Sequence, residues 1–202
     1  MIDLRPATDR TAAVIAALDD EHLALATPCP KYSVGDLLDH IDGLALAFTH
    51  AATKTPPAAT QPDPSGDAAR LGTGWRRRIP DRLTALAAAW QDPSAWTGTT
   101  QAGGIDMPGE IAGLVALNEV ITHGWDLARA SGQAFDADDA HVAICIETMG
   151  PQPDEDRPTG TDVAFGHPVS APPNATPVDR LAAVLGRNPT WSPPGTDESH
   201  NG

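Results

Sequence analysis

Val14, Leu18 and Leu25 recur at spacings of four and seven, which is the recurrence of one helical face. Residues 7–25 are therefore expected to form a first helix. Thr27-Pro28-Cys29-Pro30 stops it, because two prolines in three residues cannot continue a helix. Ser33 has the character of an N-cap, and Asp36 places negative charge in the first turn of a second helix. Leu37, Leu44 and Phe48 define that helix's buried side, to about Ala52. A loop rich in Pro, Ala and Thr occupies 53–65. The third apolar series, Leu71, Trp75, Leu83, Leu86 and Trp90, predicts a helix over 67–91 that Pro80 kinks or divides. Residues 94–108 alternate short apolar points with glycines and suggest a small β-hairpin.

The clearest element is a fourth helix over 108–130, with Pro108 at its start and Gly132 just beyond its end. A fifth helix is expected over 137–149. The stretch 150–178 is dense in Pro, Gly and Asp, with one strand-like run at 163–165. A last short helix covers about 178–187, and the chain from about Ser192 is expected to be disordered. No internal repeat is visible. The pattern predicts an all-α bundle over 1–150, a C-terminal appendage packed on it over 151–190, and a tail over 191–202.

Composition narrows the class. Hydrophobic residues make up 41% and aromatic residues only 4% of 202 residues, and small apolar side chains suit closely packed helices. Acidic residues outnumber basic ones 27 to 13, for a formal charge of -14. Such a surface repels phosphate backbones and anionic membranes, so nucleic-acid and membrane partners are set aside. Arg76, Arg77 and Arg78 form a basic run, read as a solvated helix face. No stretch reaches membrane-span length, and no signal peptide is evident. Cys29 and Cys145 lie far apart, consistent with free thiols in a cytoplasmic protein.

Chemistry enters on the fourth helix. Glu119 and His123 are four residues apart and project from one face, with Asp126 on the same side. Burying a carboxylate there without a partner costs several kcal/mol, and a cation removes that cost. His40 occupies the stripe of Leu37 and Leu44 on the second helix, and facing helices of a bundle build metal sites. His40, Glu119 and His123 then make a His₂Glu set, the donor type of open zinc sites, with nickel and iron as alternatives. Spacing alone favours the structural alternative, a salt-bridged Glu119 and hydrogen-bonded histidines. Asp126 is equally a carboxylate orienting a metal-bound imidazole or a partner of Arg129. Asp36 either orients His40 or supplies helix-start charge. His22 is weighed as a fourth ligand against a partly exposed structural role. Cys29 is weighed as a reactive thiol against a buried one, and Trp75 and Trp125 are read as core.

Three runs change the balance: Thr27-Pro28-Cys29-Pro30, Ser33-Val34-Gly35-Asp36-Leu37-Leu38-Asp39-His40, and Glu119-Val120-Ile121-Thr122-His123-Gly124-Trp125-Asp126-Leu127-Ala128. Together they resemble the DinB-like superfamily, in the branch of the mycothiol-dependent maleylpyruvate isomerase metal-binding domain and its actinobacterial relatives. The closing run Asp179-Arg180-Leu181-Ala182-Ala183-Val184-Leu185-Gly186-Arg187-Asn188-Pro189 is similar to the end of that branch. The resemblance implies a four-helix bundle holding a divalent metal on His40, Glu119 and His123. It also implies mycothiol as cosubstrate and a small electrophile as its partner in an S-transferase or isomerase-like reaction. The isomerase proper has a further C-terminal domain, where this chain has only a short stretch after its fifth helix. Two other readings stand beside this one: a non-catalytic metal or small-ligand binding protein, and a metal-free bundle. A homodimer is a common outcome for such bundles.

Overall fold

The computed structural model describes residues 1–56, 65–150 and 166–194. Among these described residues, six α-helices and one two-stranded sheet form in the order α1 (Arg5–Ala16), α2 (Val34–Thr53), α3 (Trp75–Ala89), β1 (Thr99–Ala102), β2 (Ile105–Pro108), α4 (Gly109–Ala130), α5 (Asp139–Met149) and α6 (Pro177–Val184). The first four helices make the bundle. Each of α1 and α2 packs against both α3 and α4, so α2 and α4 are neighbours, as a site shared between them requires.

The first helix is shorter than its apolar stripe predicts. It ends at Ala16, and Asp19 caps a separate 3-10 turn over Asp20–Ala24. Leu18 stays buried, whereas Leu25 is exposed; the stripe ends where the Asp19 carboxylate takes up the Glu21 N–H and starts a new element. Between this turn and α2, the Thr27 hydroxyl bonds the Cys29 and Tyr32 carbonyls and accepts from the Cys29 N–H. That folded turn places Tyr32 and Ser33 at the mouth of α2. Ser33 and Asp36 then form a reciprocal capping box.

The third helix also departs from expectation. Its predicted beginning is a short 3-10 turn, Ala68–Arg70, and Gly72 at φ +64° breaks the chain before α3 starts. The helix is continuous through Pro80. The arginine run is only in part a solvated face: Arg78 pairs with Asp42 of α2 at 2.7 Å, and Arg82 joins it at 2.9 Å.

The hairpin forms at 99–108. Gly103 and Gly104 both have positive φ, the geometry that lets a two-residue turn follow strand twist. Its register pairs Thr99 with Pro108 and Ala102 with Ile105. The Thr100 hydroxyl donates to the Ala51 carbonyl at 2.6 Å, fastening the sheet to the end of α2. The last helix, α6, has a Thr176–Asp179 capping box and Pro177 in its first turn. Val178, Leu181, Ala182 and Leu185 join the same apolar core as Ile121 of α4 and Val142 of α5. Trp191 also packs on that core. The strand-like run at 163–165 and the tail from 195 lie outside the described residues.

Candidate metal centre

Two helices deliver the cluster. His40 lies on α2, between the buried Leu37 and Leu44. Glu119 and His123 lie one turn apart on α4. One donor atom from each of the three falls within 4.8 Å of the others. Glu119 Oε2 is 2.9 Å from His123 Nε2 and 3.7 Å from His40 Nε2. The imidazole rings of His40 and His123 meet edge to face at 4.9 Å. The cluster is most open beside His40, whose side chain is 17% exposed against 4% for His123. Tyr32 covers part of this side, its ring 5.4 Å from that of His40.

Asp126, fully buried, sets the chemistry of His123. Its Oδ2 lies 3.1 Å from His123 Nδ1. A carboxylate only accepts, so Nδ1 carries the proton, and in the neutral ring Nε2 presents a lone pair to Glu119. Glu119 Oε2 is itself buried without a hydrogen bond. Two electron-rich atoms 2.9 Å apart in a dry site repel unless a cation or a proton lies between them. The donor set and this orphaned oxygen fit a divalent metal with nitrogen and oxygen ligands. With a proton in its place, burial works to raise the Glu119 carboxyl, but the His123 and His40 imidazoles outweigh it and hold Glu119 well below the usual carboxylate range. Burial likewise works to depress His123, and Asp126 and Glu119 reverse it, so the imidazole pKa is raised.

The other candidates have different partners. Asp36 accepts from the Ser33 N–H and hydroxyl and, through its second oxygen, from the Ala68 N–H; it closes the α2 cap and ties the 3-10 turn at Ala68–Arg70 to it. His22 pairs with Asp19 at 2.7 Å on the capped 3-10 turn. Arg129 stacks over Trp125 and donates to the Pro189 carbonyl, so it is not the cation on Asp126. That cation is Arg187, whose Nη2 is 3.4 Å from Asp126 Oδ2. Cys29 is buried, and burial, with the nearby negative charge of Asp126, pushes its thiol up to about 11. It is a protonated structural thiol at neutral pH.

Sequence reasoning missed Arg187 and Tyr32. Arg187 stands 61 residues from its partner, and a single arginine after a helix-ending glycine carries no spacing signal. Tyr32 was legible only as a residue of the turn before α2. Asn118 and Thr122, buried on α4 without side-chain partners, were also unmarked, since one amide and one hydroxyl on an apolar helix are unremarkable in a sequence.

The fold and the cluster define the class: a DinB-like helical bundle with a His-Glu-His constellation between its second and fourth helices. The chain belongs to the mycothiol maleylpyruvate isomerase N-terminal domain family, whose profile matches residues 4–128. It is 28% identical over 186 residues to an uncharacterized protein of Mycobacterium tuberculosis, found in strains CDC 1551 / Oshkosh and ATCC 25618 / H37Rv; the match covers 90% of this chain and 93% of the relative. The crystal structure of the mycothiol-dependent maleylpyruvate isomerase superimposes with a TM-score of 0.54 over 72% of this chain and 64% of that one, at 15% identity. At that identity the likeness is one of fold. Among the described residues, no helix is long and apolar enough to cross a membrane.

Proposed function

We propose that this chain holds a divalent metal, zinc in the first place, on His40, Glu119 and His123. With it the protein acts on a small electrophile with a low-molecular-weight thiol, mycothiol by family, as an S-transferase or isomerase-like enzyme. The single observation that carries the metal is the buried contact of Glu119 Oε2 with the lone-pair nitrogen of His123. The family supplies the thiol. Bound there, such a cation would lower the pKa of a thiol and keep it as a nucleophile at neutral pH. The chain's own groups do the rest of what is required before chemistry. Asp126 fixes the His123 tautomer, the bundle excludes water from behind the donors, and the more exposed flank at His40 and Tyr32 is the side open to substrate.

A non-catalytic metal or small-ligand binding protein is the second reading. It is favoured by one feature: Glu119, His40, His123 and Asp126 are all committed to the cluster or to orienting it, which leaves none of the four to shuttle protons. In both readings the helical bundle carries the site, α6 packs on its core, and the free thiols of Cys29 and Cys145 accord with the cytoplasm.

The test is metal content of protein purified without chelator or nickel resin. Wild type is expected to carry about one equivalent, and His123→Ala to lose it. An empty wild type that also refuses added zinc overturns the metal and the thiol chemistry together. A loaded protein that consumes no thiol in the presence of activated alkenes, epoxides or maleyl-type acids selects the non-catalytic reading.

A further inference from the structure

The C-terminal segment sends a charge into the cluster from outside the four-helix bundle. Gly186, at φ +82°, turns the chain after α6, and a Cβ there would sit 2.7 Å from the Gly166 backbone. This tight turn carries Arg187 inward, where its side chain is 4% exposed. Nη1 donates to the Leu185 carbonyl at 3.2 Å, and Nη2 reaches Asp126 Oδ2, the same oxygen that accepts from His123 Nδ1. A guanidinium cannot shed its proton to lower the cost of burial, so its charge is a fixed part of the site.

We propose that Arg187 is a positioning and charge-balancing residue of the metal centre, making the open position selective for an anionic sulfur ligand. This rests on the metal–thiol reading above. With neutral imidazoles, Glu119 and Asp126 bring two negative charges and Arg187 one positive, a net of minus one. A divalent cation turns the net to plus one, and a single thiolate closes it at zero. Without Arg187, the metal-loaded site is already neutral, and a thiolate leaves a buried negative charge uncompensated, which is costly in a dry site. Arg187 also holds the same Asp126 oxygen that accepts from Nδ1 of His123, so one carboxylate links the ligand's orientation to the charge. Neither the bundle alone nor the Glu119–His123 spacing contains this group.

The experiment loads the full chain with cobalt(II) and titrates 2-mercaptoethanol, following the thiolate-to-cobalt charge-transfer absorption and the visible ligand-field bands. The thiol binds as thiolate, and its proton passes to the buffer. Arg187→Met is expected to weaken thiol binding by about tenfold or more, as loss of a ligand's supporting contact does, while Arg187→Lys retains most of it. Asp126→Asn, which keeps an acceptor for Nδ1 but removes a negative charge, is expected to bind thiol more tightly than wild type. The double variant Arg187→Met/Asp126→Asn restores the net charge and is expected to return toward wild type. If Arg187→Met does not fold, the comparison of Asp126→Asn with the double variant carries the test, since that pair also differs only by the guanidinium. Equal thiol affinity across these variants, with normal cobalt uptake, overturns the role of Arg187 and leaves the metal reading intact. Failure of the wild type itself to take up cobalt overturns the metal reading instead.

Discussion

Glu119 and His123 share one buried contact, and whatever lies between Oε2 and Nε2 decides how the protein responds to pH. Without metal a proton takes that place. His123 has its pKa raised above the ordinary 6.5, so its contribution to stability is complete below pH 6.5 and is lost as pH rises through the raised value. Glu119 is shifted the other way, below the ordinary 4.5; its contribution is complete above pH 4.5 and is lost as pH falls through the lowered value. Metal-free protein should therefore be most stable between these two reference values and soften above them. A metal competes for the same lone pair, so its stabilisation grows as the proton leaves. The difference in melting temperature between zinc-loaded and chelator-treated protein is expected to widen from pH 5.5 to pH 8, conditions chosen to bracket the ordinary imidazole value. A difference that is flat or narrows over that range would mean that metal does not displace the His123 proton.

The bundle's elements depend on small residues where helices cross. Gly124 follows His123 on α4, and a Cβ there would meet the Thr11 hydroxyl of α1 at 2.3 Å and the Phe135 ring at 2.8 Å. Thr11 in turn donates to the Val120 carbonyl at 3.0 Å, so α1 lies directly against the turn of α4 that carries the site. Gly124→Ala gains helix propensity of about 1 kcal/mol but forces α1 away, at an overpacking cost of about 1–3 kcal/mol. A lowered melting temperature is expected, together with weakened metal binding as His123 moves; an unchanged one would place the backbone contact elsewhere. Three of the helices were legible because each has a cap or stop with a mechanism: Ser33 and Asp36 at α2, Pro108 and Gly132 around α4, Gly186 after α6. Of the His-Glu-His set, spacing showed only that Glu119 and His123 share a helical face; the family resemblance is what joined His40 to them. Illegible was the early end of α1. There the Leu25 period continued in the sequence after the backbone had turned away. Arg187 was illegible for a deeper reason: its partner is fixed by how α6 docks, and no local periodicity encodes docking.

The whole molecule carries a charge of -14, and that excess bears on both stability and metal capture. Acidic groups at this density repel one another across the surface, while some of the ion pairs pull the fold together. Exposed pairs such as Arg5–Asp3 and Arg77–Asp81 contribute little. The partly buried clasp of Arg78 and Arg82 on Asp42 is screened far less by salt than the open surface is. Raising ionic strength from about 0.01 M to about 0.15 M shortens the screening length from roughly 30 Å to roughly 8 Å. It should therefore quiet the repulsion more than it weakens the pairs, and the melting temperature is expected to rise. The same screening removes the long-range attraction of an acidic surface for a cation, so the rate of cobalt or zinc uptake is expected to fall over the same range, while the affinity set inside the buried cluster changes much less. Melting that falls with salt would show that the ion pairs, and not the acidic excess, dominate the surface. Uptake that is indifferent to salt would show that entry past His40 and Tyr32, and not diffusion to the surface, limits the rate.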